Sequence, residues 1–87
     1  MSEDRMRFVK ISKVWRIDPK NGNRWVLICD GNGAYHIREI LKQLGFRWDR
    51  VFKEWTKEYY NDDIEAINEA IKNFIKANKL KNIRLIE

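Results

Sequence analysis

Thirteen consecutive residues, Gly45-Phe46-Arg47-Trp48-Asp49-Arg50-Val51-Phe52-Lys53-Glu54-Trp55-Thr56-Lys57, hold four large aromatics interleaved with four cations. That mixture suits a nucleic-acid strand. A nucleobase stacks its flat face on Trp or Phe for about 1–3 kcal/mol, and its phosphate needs a positive charge within reach. A second set stands earlier, where Trp15 and Trp25 flank a turn and Arg16 and Arg24 fall nearly opposite each other. Guanidinium planes both stack and pair with phosphate, so a Trp–Arg pair makes a base platform. The candidate binding residues are therefore Trp15, Arg16, Arg24, Trp25, Arg47, Trp48, Arg50, Lys53, Trp55 and Lys57.

Each aromatic competes with a core role. Phe46 follows a helix end directly and favours the core, whereas Trp48 and Trp55 fit stacking and core equally. A buried Trp hides up to about 250 Å². A chain of 87 residues has little interior room for four of them, so at least one or two reach the surface.

Catalytic chemistry finds few materials. One cysteine, Cys29, excludes an internal disulfide framework and a multi-thiolate zinc site, and a single histidine, His36, lacks a positioned nucleophile or carboxylate. The expectation is no cofactor, no metal and no enzyme. Asp30-Gly31-Asn32-Gly33-Ala34-Tyr35 is glycine-rich and opens a helix, but it lacks the Lys-Ser/Thr of a phosphate loop and reads as a turn. No apolar run is long enough to cross a bilayer, and Met1-Ser2-Glu3-Asp4-Arg5 lacks the plan of a secretory leader, which points to a cytoplasmic protein.

Charge is segregated along the chain. Residues 5–57 hold 13 Lys or Arg against 5 Asp or Glu, residues 58–71 hold five acids and no base, and residues 72–86 hold five bases and no acid. Such a distribution implies a basic surface patch, the footprint of a polyanion binder; a lysine-rich surface that serves solubility alone is the competing explanation. Charged residues make up 36% of the chain with one Gln, a composition of heat-adapted proteins, although eight Asn run against it.

The elements that must position these residues follow a ββαββα order. From Phe8 to Ile17, Val9, Ile11, Trp15 and Ile17 share one parity, as a half-buried strand requires. Asp18-Pro19-Lys20-Asn21-Gly22-Asn23 supplies a hairpin loop, and Arg24 to Asp30 returns as a second strand. Ile37, Ile40, Leu41 and Leu44 follow helical spacing to a glycine stop at Gly45. Phe46 to Trp48 and Lys53 to Thr56 form a second hairpin, and Asn61 caps a last helix with an Ile64, Ile67, Ile71, Phe74, Ile75 stripe. Tyr59 and Tyr60, being adjacent, point in different directions. The fold class is α+β: a small antiparallel sheet of about four strands backed by two helices, in one domain spanning 1–87. Residues 80–87 end too apolar for a free tail; they serve either as an edge strand or as an oligomer contact.

The run from Ile37 to Asp49, followed by Lys53-Glu54-Trp55-Thr56-Lys57, resembles the helix, Gly-Phe-x-Trp and Lys-x-Trp hairpin of archaeal ThermoDBP-related single-strand-binding proteins. It is also similar to small accessory modules attached to larger enzymes. The first resemblance implies an antiparallel sheet backed by helices, with an aromatic and basic cleft that holds single-stranded DNA or RNA without strong sequence choice. It places Phe46, Trp48 and Trp55 on the aromatic positions, with Arg47, Lys53 and Lys57 beside them. Asp49-Arg50 stands where that pattern carries Asp-Pro or Asn-Pro. The expected function is non-catalytic binding of single-stranded nucleic acid through an aromatic, basic sheet face, by a homo-oligomer. The alternative is a protein-interaction module or accessory subunit that docks through the aromatic patch and the apolar tail.

Overall fold

The long first hairpin is the spine of the computed structural model, which describes residues 5–87. Residues 1–4, read above for a leader, lie outside the described residues. β1 (Arg7–Arg16) and β2 (Arg24–Asp30) pair antiparallel, with Lys10 opposite Asp30 and Arg16 opposite Arg24. Asp18 organises the loop between them. Its Oδ1 accepts from the Lys20 and Asn21 N–H groups at 3.0 and 3.1 Å, and its carbonyl accepts from Gly22, whose φ of 94° only glycine takes freely.

Past β2 the chain is clamped to β1. Asn32 Oδ1 accepts the Phe8 N–H, and the Gly33 N–H donates to the Phe8 carbonyl, each at 3.0 Å. Gly31 turns there with φ 106°, and a Cβ on it would stand 2.0 Å from the Phe8 carbonyl oxygen. The N–H groups of Gly33, Ala34 and His36 all donate to backbone carbonyls, so this segment is a turn. A 3₁₀ turn, Ala34–Ile37, leads into α1 (Arg38–Gln43), and Gly45 at φ 98° ends it.

β3 (Arg47–Asp49) and β4 (Glu54–Glu58) form the second hairpin, followed by α2 (Ile64–Ala77) and β5 (Ile83–Ile86). Asp63 caps α2 by accepting the Ala66 N–H; Asn61, the cap expected from sequence, instead takes a left-handed φ of 61° in the preceding turn. The sheet order is β3-β4-β2-β1-β5. It has five strands and is mixed, because α2 carries the chain back across the sheet and lets β5 enter parallel to β1.

Both helices pack on one face. Val9, Ile11, Leu27, Cys29, Phe46, Trp55 and Ile83 meet Ile37, Leu41, Ile67 and Ile71 there. Val26 and Ile28, also buried, belong to the other face and lie outside that cluster. No helix among the described residues is long and apolar enough to cross a membrane. Gly31→Ala should destabilise the fold by more than about 1 kcal/mol in chemical denaturation, from strain and steric conflict together. Gly22→Ala, where nothing lies within 4 Å, should cost less.

Candidate nucleic-acid interface

Strand register decides where the tryptophans go. Trp48 pairs with Trp55, Trp55 with Cys29, and Cys29 with Ile11, while Trp15 pairs with Trp25. Side chains alternate along each strand, so all four indoles share the helix-bearing face. The aromatic sheet face expected from sequence is therefore the one the helices pack on, and the open face carries none of the four. The helices seal the middle of their face and leave Trp55 only 8% exposed. Trp48, on the edge strand, is 50% exposed, and its ring meets Trp55 edge-on with centroids 5.8 Å apart. The outer indole is thus braced by the inner one, which limits the freedom lost when a ring stacks on it.

The β3–β4 turn is set by Asp49, whose Oδ1 accepts from the Val51 and Phe52 N–H groups, both at 2.9 Å. Lys53 then turns back with φ 56°. Between this hairpin and the glycine-rich loop lies an open groove of ≈ 630 Å³, lined by Gly31, Asn32, Tyr35, Trp48, Lys53 and Trp55 among others. Its size is ample for one nucleotide. Tyr35 is 62% exposed, and the Arg38 guanidinium lies 3.9 Å from its ring centroid. Asp30 and Glu54 also border the groove, and Glu54 is engaged by Arg16.

The cations divide into two groups. Arg16 pairs with Glu54 and lays its guanidinium 3.8 Å from the Phe52 ring centroid. Arg24 donates to Glu58 at 2.7 Å and to Asp18 at 3.1 Å, and Lys57 meets Asp62 at 3.2 Å. These three site candidates already have carboxylate partners, so a phosphate would have to displace one. Arg47, Arg50 and Lys53 are exposed and make no ion pair among the described residues; Lys53 lines the groove, Arg50 stands in the turn, and Arg47, next to Trp48 in β3, points to the opposite face at the sheet edge. Their charge is available.

Of the ten residues singled out from sequence, Trp48 and Lys53 line one groove at the β3–β4 hairpin, Arg50 stands in its turn, and Arg47 flanks the same edge from the opposite face. Trp55 is the floor beneath them. Trp15 and Trp25 form a separate pair at the far end of the first hairpin, with centroids 5.3 Å apart. Lys13, Tyr35 and Arg38 were missed. Tyr35 had a visible signal, a large aromatic just after a glycine turn, but the position of Lys13 follows only from packing: its Nζ lies 4.8 Å from the Trp25 ring centroid and 4.3 Å from that of Tyr59.

Burial pushes the Cys29 thiol up to about 12, far from reactive. No group of three or more His, Cys, Asp or Glu among the described residues could hold a metal ion. Comparison with protein-family models, curated proteins and solved structures finds no match to this chain.

The Asp18 carboxyl is drawn down from 3.8 to about 2, first by the Asn21 N–H and then by Arg24. A carboxylate held below its ordinary value favours the folded state fully above about pH 4, and that contribution disappears as pH falls through about 2. Asp18→Asn should therefore lower the thermal midpoint at neutral pH, with the gap to the parent closing as pH approaches 2. An equal gap at both pH values would show that charge at Asp18 is irrelevant.

Proposed function

We propose that this protein binds single-stranded DNA or RNA, without catalysis and with little sequence preference, in the groove centred on Trp48. The observation that carries the proposal is a groove with two exposed rings, Trp48 and Tyr35, on its walls and unpaired Arg47, Arg50 and Lys53 nearby. Base stacking is indifferent to sequence because every base has a π-face, and cations flanking the rings offset the phosphates. The strand enters at the sheet edge on the helix side.

The resemblance to ThermoDBP-related proteins agrees with this in substance and differs in detail, since only part of the hairpin pattern is exposed. Val51, 83% exposed at the hairpin tip, favours a second reading in which the turn docks a protein partner. Such an interface would be nearly insensitive to salt.

Titration with single-stranded oligonucleotides should quench tryptophan fluorescence, weaken steeply with salt and be competed poorly by duplex. Binding unaffected by salt, or tighter binding of duplex, overturns the proposal. Trp48→Ala should cost about 1–3 kcal/mol of binding with the fold intact. Trp55→Ala should instead cost about 3–5 kcal/mol of stability, because it empties the core. Arg47→Ala should lower the slope of log affinity against log salt by about one phosphate contact.

A further inference from the structure

At the far end of the first hairpin, Trp15 and Trp25 sit directly across from each other, meet at an interplanar angle of 66°, and are 49% and 46% exposed. Helices seal the middle of this face, and these two rings lie outside the buried cluster. Lys13 projects among the rings, its Nζ over both Trp25 and Tyr59, and makes no ion pair among the described residues. Two half-exposed indoles around a free ammonium repeat the combination found at the Trp48 groove.

The two places share the helix-bearing face, and a second groove extends from Trp48 along the free edge of β4 toward the second place. This groove, of ≈ 460 Å³, starts at Trp48, which lines both grooves, and runs past Arg47 and Lys57 to Tyr60 and Arg24. Its acids are already engaged: Asp49 Oδ1 by two N–H groups of its own turn, and Glu58 by Arg24. At its end Tyr60 is 77% exposed, and the neighbouring Tyr59 N–H donates to the Trp25 carbonyl at 3.2 Å. The groove ends one residue short of Tyr59, whose ring faces Lys13; Trp15 and Trp25 do not line it.

Resting on the single-strand reading, we propose that Trp15, Trp25 and Lys13 form a second stacking platform for the same strand, which is held at two points. Register sets the span. Trp25 lies four residues along β2 from Cys29, the residue in line with Trp55 and Trp48, which is about 13 Å; two strand spacings add about 10 Å sideways, for a separation of about 16 Å. At the stacked rise of about 3.4 Å per nucleotide this is roughly five nucleotides, and fewer for an extended strand. A short oligonucleotide reaches one platform, and a longer one reaches both, the second contact being intramolecular once the first has formed.

The test compares a thymidine trinucleotide with a decanucleotide on the full chain. Trp25→Ala should weaken the decanucleotide by about tenfold or more and leave the trinucleotide within about twofold, whereas Trp48→Ala should weaken both. Lys13→Glu, at an exposed position, should give the same length-selective loss, so the outcome does not hang on one ring substitution. If Trp48→Ala weakens both oligonucleotides while Trp25→Ala and Lys13→Glu leave the decanucleotide unchanged, the second platform is refuted and the Trp48 groove stands. If the parent chain binds neither oligonucleotide, the single-strand reading fails and takes the second platform with it.

Discussion

The pairing of Trp55 with Cys29 on one side and Trp48 on the other governs the rest of the molecule. It puts Trp55 and Trp48 on the same face as the Trp15–Trp25 pair, and a slip of one residue between β4 and β2 would turn both of them to the opposite side. With this register, one tryptophan is driven under the helices and its neighbour is left at the sheet edge, supported from within. Core and surface roles are therefore two ends of a single rung.

The glycine-rich loop and the β3–β4 turn complete the groove from either side. Each is held by side-chain oxygens that accept backbone N–H groups, Asn32 for Phe8 and Asp49 for Val51 and Phe52. Such locally closed turns keep their shape without help from a ligand, so the walls carrying Tyr35 and Trp48 stand ready before anything binds. The acid-rich stretch from Glu58 to Asp63 has a further part in this. Through Glu58 and Asp62 it pairs with Arg24 and Lys57, while Arg47, Arg50 and Lys53 in the hairpin keep no carboxylate partner among the described residues.

Much of the architecture was legible in the residues. Alternation marked β1, Asn21-Gly22 marked the first turn, Gly45 marked the end of α1, and the isoleucine stripe marked α2, because each rests on local geometry that neighbouring residues enforce. The misses have a common cause. The parallel entry of β5 depends on where α2 delivers the chain, and the replacement of Asn61 by Asp63 as helix cap depends on the path out of β4.

For the candidate site the division is sharper. Composition and spacing alone specified that rings and cations crowd one hairpin and that four tryptophans exceed the room inside so small a domain. They could not assign Trp55 to the floor and Trp48 to the rim, nor separate the cations taken up by carboxylates, Arg16, Arg24 and Lys57, from those left free. Exposure and ion pairing are properties of contacts between distant segments. A residue's own neighbours in the chain set which way it points, but what waits there comes from strands and helices brought in from elsewhere.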